Sequence, residues 1–165
     1  MRNNFRKPAL FLISLVVVVL TACQGDEVCE DQSSNELRIR FYTLGAEDNA
    51  TISIDSLIIF GVGQDDKLIY DGSDAVSLAA LPMDPGADSC GFVFVAGEQA
   101  DTLWLTYRRE LHFISAECGF TMFFNILDKD YSTNIFEAIE VSNPLVSNIF
   151  DEHIKVFVLV TDPDE

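Results

Sequence analysis

Positive charge is what this chain has least of: ten Lys and Arg stand against 27 Asp and Glu, a formal charge of −17 at pH 7. Phosphate backbones are held by clustered cations, so nucleic acid is excluded as a partner. Histidine is scarcer still, with His112 and His153 alone, and neither lies in a Gly-x-Ser-x-Gly, papain-like or His-Glu-x-x-His setting. Nucleophilic catalysis needs a base within hydrogen-bond reach of the nucleophile, and the chain reads as a non-enzyme. The four cysteines include no Cys-x-x-Cys pair, which removes zinc sites of that spacing and thiol–disulfide redox work. Gly61-Val62-Gly63 opens like a dinucleotide loop, but Asp66 fills the last glycine position and no helical pattern follows. Also missing is any apolar run of the ~20 residues that a spanning helix needs.

What is present begins at the N-terminus. Arg2, Arg6 and Lys7 precede twelve residues, Ala9 to Leu20, that are apolar apart from Ser14, and small residues then lead to Cys23. That is the length of a secretory h-region. Leu20-Thr21-Ala22-Cys23 looks like the lipobox of bacterial lipoproteins, in which cleavage leaves the cysteine as a new N-terminus carrying a diacylglyceryl thioether and an amide-linked acyl chain. One acyl chain alone holds a protein marginally, whereas several anchor it stably. The expected organisation is a cleaved signal peptide over 1–22, a lipidated acidic tether over 23–35 and a single domain over 36–165. Gln24 in place of aspartate carries no inner-membrane retention cue, so the outer membrane is the expected address. Cys23-Gln24-Gly25-Asp26-Glu27 resembles the acidic export signal of surface-displayed lipoproteins from Bacteroidota, which favours the cell surface over the periplasmic leaflet.

Cleavage removes three basic residues and no acidic one, leaving seven against 27, a charge of −20. Anionic lipid repels such a domain, so the expected membrane contact is through the N-terminal lipid alone. A composition that is 48% hydrophobic, with 13 Phe, is too apolar for a disordered acidic chain, and its length suits one folded unit.

Apart from Cys23, the cysteines are Cys29, Cys90 and Cys118. An oxidising envelope favours one disulfide, and an odd count leaves a thiol over. The favoured pair is Cys29 with Cys118, leaving Cys90 as a small apolar residue beside Phe92.

Alternation dominates the rest. Leu37, Ile39 and Phe41 alternate with Arg38, Arg40 and Tyr42; Ile52 and Ile54 with Ser53 and Asp55; Leu103, Leu105 and Tyr107 with Trp104, Thr106 and Arg108. These read as half-buried strands. Phe120 to Ile126 and Ile154 to Val160 are apolar on both parities, as strands covered on both sides are, and Leu145 to Glu152 reads as a helical turn. Turn clusters rich in Gly, Asp, Asn and Ser separate the runs. About nine short strands at this spacing indicate an all-β fold, an antiparallel β-sandwich with Greek-key connections, Ig-like in general architecture.

Several of these runs together, Leu37-Arg38-Ile39-x-Phe41, Leu81-Pro82-x-Asp84-Pro85, Asp101-Thr102-Leu103-x-Leu105-x-Tyr107, Ser115-x-x-Cys118-Gly119-Phe120 and His153-Ile154-Lys155-Val156-Phe157, resemble the Bacteroidota lipoproteins grouped as domain-of-unknown-function family 6452. The resemblance implies a small lipid-anchored envelope protein without an established activity, Cys29 and Cys118 as a bonded pair, and an outer-membrane barrel or other envelope protein as a partner. Two departures are Asn35-Glu36 in place of a Thr-Pro and the extra Cys90, which keeps a swapped disulfide open.

Two constellations carry possible chemistry. Asp128, Asp130, Ser132 and Asn134 place oxygens at alternate positions like the first ligands of a calcium loop, yet Thr133 stands where glycine is required and no glutamate closes the loop. Clusters of this kind are mostly solvated turns in so acidic a chain; calcium is the single cofactor candidate. The second is a binding face made of Arg38, Arg40, Trp104 and Arg108, where an aromatic beside arginines on an open sheet suits a sugar or a partner protein. Cross-strand pairing with Glu36, Glu110 or Glu117 is the competing use of those arginines. The functional expectation is a non-enzymatic accessory or interaction module of an envelope complex, the alternative a carbohydrate-binding module of a surface glycan system.

Overall fold

The structure, a computed structural model, describes residues 35–44, 50–116 and 118–158. The leader, Cys23 and Cys29 lie outside the described residues. Alternating sequence becomes ten strands: β1 (Glu36–Thr43), β2 (Ile58–Gly61), β3 (Leu68–Asp71), β4 (Leu78–Pro82), β5 (Ser89–Ala96), β6 (Gln99–Ser115), β7 (Gly119–Tyr131), β8 (Phe136–Val141), β9 (Leu145–Val146) and β10 (Ile154–Val158). They form a four-stranded sheet ordered β4-β1-β10-β8 and a six-stranded sheet ordered β3-β2-β5-β6-β7-β9. Every pairing is antiparallel except β1 with β10, which run parallel from Ile39↔Ile154 to Thr43↔Val158.

Packed face to face, the two sheets make a β-sandwich whose core is the apolar parity of each strand. Leu37, Ile39 and Phe41 from one sheet and Leu103, Leu105 and Tyr107 from the other are fully buried. Each such side chain is worth roughly 1.5–3 kcal/mol of burial. Aromatic edges tie the layers: Phe94 of β5 meets Phe41 of β1 at 6.4 Å and Phe136 of β8 at 5.1 Å between ring centres.

Among the described residues one carboxylate enters this core. Asp101 shares the inward parity of Leu103 and is buried. Its carboxylate accepts bonds from the Ser132 hydroxyl (2.6 Å) and from the backbone amides of Asn134, Ile135 (2.6 Å) and Phe136 (2.8 Å). Those donors line the turn that carries the chain from β7 in one sheet to β8 in the other. Burial alone would raise the Asp101 pKa, but the hydrogen bonds from Ser132 and the three amides outweigh it and hold the carboxyl below its ordinary value.

The structure departs from the sequence reading in three places. Leu145 to Glu152 is not a helical turn: it begins with the two-residue strand β9, paired to β7 at Phe124↔Val146, and continues in bends. Ile52 and Ile54 are half-buried but belong to no strand: Ile52 follows the single bridge Tyr42↔Thr51, and Ile54 forms the single bridge Ile54↔Val76. β10 is buried on both parities as expected, whereas β7 is covered only in part, and Phe120 and Leu127 stand exposed. Phe120 lies at the end of the long β6–β7 hairpin, and Leu127 at the register shift where Thr106 and Tyr107 face Asp128 and Ile126.

Candidate functional site

Trp104 occupies the outward parity of β6, in a row with Gly91 of β5 and Asp130 of β7. Gly91 makes this position possible. A Cβ there would lie 2.7 Å from Cε3 and 2.8 Å from Cζ3 of the indole, and 2.8 Å from a Val62 methyl. Without that carbon the ring lies against the backbone of β5 while remaining 45% exposed. Beside it opens a cleft of about 510 Å³, lined by Val62, Gln64, Lys67, Met83, Gly91 and Trp104 among others. Thr106 and Asp128 pair directly on the next outward position. A flat aromatic face with Thr106, Asp128 and Asp130 on one flank can stack on a planar or sugar-like surface and hydrogen-bond beside it.

The four residues expected to share a binding face do not share one. Trp104 and Arg108 point outward from the six-stranded sheet, Arg38 and Arg40 outward from the four-stranded sheet, so the sandwich separates the pairs onto opposite surfaces. Arg38 lies 4.3 Å over the Phe150 ring and 3.8 Å from the Glu36 carboxylate. The Arg40 Nε donates to Glu152 at 2.9 Å, and the same carboxylate oxygen accepts the Tyr42 hydroxyl at 2.8 Å. On its own surface Arg108 pairs with Glu110 at 2.9 Å. Arg109 reaches back to Asp88 and to the Pro85 carbonyl, both at 2.8 Å. Each arginine thus has a carboxylate partner, for Arg38 and Arg108 on the same strand, and Trp104 stands half-exposed beside its cleft.

The calcium candidates are likewise dispersed. Asp128 and Asp130 are exposed on strand β7, each accepting the amide of its following residue. The Ser132 hydroxyl is turned to Asp101, and the Asn134 side-chain amide donates to the Ala100 carbonyl at 2.8 Å. The alternate oxygens therefore end a strand and build the Asp101 turn. Among the described residues no group of three or more His, Cys, Asp or Glu is placed to hold a metal ion.

Both histidines have structural surroundings. His112 stacks on Phe123 at 4.2 Å and lies 3.5 Å from Glu110. His153 is fully buried; its Nδ1 accepts the Arg38 amide at 2.9 Å, and its Nε2 has no well-formed hydrogen bond among the described residues. Burial lowers its pKa, with Asp151 opposing and Arg38 adding to the shift.

Cys90 is a free thiol at the core's edge, 4.0 Å from the Met83 sulfur, with its pKa pushed up to about 11 chiefly by burial. Cys118, at the turn of the β6–β7 hairpin, is disulfide-bonded. Cys29 of the expected pair lies outside the described residues.

Sequence reasoning missed three features. Asp101 was visible as an acid on an apolar parity. The exposed hairpin tip was visible as alternation continuing through Leu111 and Phe113. Gly91 carried no local signal, because the indole it admits belongs to a neighbouring strand.

Comparison with curated proteins and with solved structures finds no match. Residues 56–158, from two residues before β2 to the end of β10, match one family model. On that match, which covers more than half of its length, the chain belongs to the family of unknown function DUF6452.

Proposed function

We propose that this protein is a lipid-anchored outer-membrane lipoprotein of the Bacteroidota type, displayed at the cell surface and acting as a non-enzymatic interaction module of an envelope complex. The lipobox at Cys23 and its acidic tether support the address. The observation that carries the interaction role is Trp104, held 45% exposed on a bed cleared by Gly91. Exposed aromatic anchors of this kind dominate protein interfaces. Under this reading the Cys23 sulfur is occupied by its thioether. With Cys90 free, Cys29 is then the partner of Cys118.

Affinity purification of the lipidated protein from crosslinked cells tests the role, with protease shaving of intact cells for the leaflet. Trp104→Ala abolishes co-purification of the partner, an envelope protein such as an outer-membrane barrel. Undiminished co-purification sinks the assignment to Trp104, and protection from shaving refutes surface display.

Thr106, Asp128 and Asp130 flanking Trp104 also favour a second reading, a carbohydrate-binding module. It predicts quenching of tryptophan fluorescence by glycans that an array selects, and flat titrations remove it.

A further inference from the structure

The β6–β7 hairpin ends in an apolar tip. Leu111, Phe113 and Phe120 are 64%, 61% and 65% exposed. They share one face of the ribbon: Phe113 pairs with Phe120 in register, Leu111 with Met122, and the two phenyl rings meet edge to face at 5.2 Å. That face continues the inner surface on which Tyr107 and Phe124 are buried, but it extends past the four-stranded sheet that covers them.

Two links bring the chain's N-terminal lead to this tip. Asn35, just before β1, donates through its side-chain amide to the Thr121 hydroxyl (2.9 Å) and to the Met122 carbonyl. Cys118 at the turn is disulfide-bonded, and under the proposed pairing Cys29 is its partner. Six residue steps separate Cys29 from Cys23, a reach of roughly 20 Å when extended. Between residues 111 and 123 the sequence has one acid, Glu117, against 27 in the whole chain. The tip is therefore an acid-poor part of an otherwise strongly acidic domain, where a lipid surface meets little charge repulsion.

We propose that the hairpin tip is a second membrane contact, seating Leu111, Phe113 and Phe120 in the headgroup boundary of the bilayer that holds the acyl chains. The inference rests on lipidation at Cys23 and replaces the expectation that lipid alone touches the membrane. An apolar tip and a covalent anchor joined through one disulfide act as two attachment points, which fixes the orientation of the sandwich over the surface.

The test uses the lipidated protein in phosphatidylcholine vesicles brominated near the glycerol end of their acyl chains. Phe113→Trp adds an emission that the bromines quench, while the native Trp104 in the unsubstituted protein keeps its intensity; Phe120→Trp repeats the measurement should the first variant misfold. Protein that floats with the vesicles but is unquenched at both positions overturns the tip contact and leaves the anchor standing. If sedimentation then shows dimers crosslinked through the tip, a second copy covers it instead. Protein that carries no acyl chain by mass spectrometry and does not float overturns the anchor and the tip contact together.

Discussion

The Phe136 amide donates to the Asp101 carboxylate at 2.8 Å, tying the first residue of β8 in the four-stranded sheet to β6 in the six-stranded sheet. Asp101 is in this sense a clamp between layers, working by charge-assisted bonds at a point where the chain changes sheet.

Asp101→Asn keeps the shape of the side chain but removes its charge and presents an NH₂ group to donors. The expected cost is roughly 2–3 kcal/mol, read as a lower urea midpoint with an unchanged slope. Because the folded pKa lies below the ordinary carboxylate value, Asp101 contributes stability at pH values above that ordinary value. The contribution is lost as pH falls through the folded one. The wild type should therefore show a steeper acid-end decline than the variant; equal declines would place the acid sensitivity elsewhere.

Gly91→Ala forces Trp104 off its seat, since the new methyl would overlap both the indole and Val62. A loss of about 1 kcal/mol is expected. The chain has a single tryptophan, so its emission spectrum reports the displacement directly. An unshifted spectrum would mean that β5 moves instead of the ring.

His153 is neutral in the fold because burial holds its pKa under the ordinary 6.5. Between the two values the unfolded chain binds a proton that the folded chain does not. Its share of stability is complete above about pH 6.5 and falls as pH drops toward the lower folded value. His153→Gln, which retains an acceptor for the Arg38 amide, should flatten the stability profile below about pH 6.5. A profile as steep as that of the wild type would assign the proton uptake to another group.

Cys90 should resist thiol reagents. With its pKa near 11, the thiolate fraction at mild alkaline pH is roughly a hundredfold below that of an unperturbed cysteine. Reaction with Ellman's reagent is expected to be slow in the native protein and fast in urea. Rapid labelling of the folded protein would show that the core edge at Met83 opens readily.

The inward and outward parities were legible in sequence because the strand period is fixed at two: Leu37, Ile39, Phe41, Leu103, Leu105 and Tyr107 are all buried as their alternation indicates. Which sheet each strand joins was not legible. Parity says that Arg38 and Trp104 both point outward, but strand order decides that they point away from each other. The same limit applies to Leu145 and Val146, where two residues of strand are recruited by the edge of β7 and not by any pattern of their own. Phe120 shows the converse: apolar residues on both parities announced a covered strand, whereas the hairpin outruns its cover and leaves the ring exposed.

The parallel seam of β1 and β10, Ile39↔Ile154 to Thr43↔Val158, also sets the order in which this chain can become a protein. Neighbouring strands β5, β6 and β7 pair in sequence through antiparallel registers and need only local closure. The four-stranded sheet instead waits for its central seam: β1 pairs early with β4, but its other edge is joined to β8 only when β10 arrives. Truncation a few residues into β10 therefore removes more than an edge: it leaves β1 unmatched on that side and separates it from β8, so the four-stranded sheet closes only once β10 is in place.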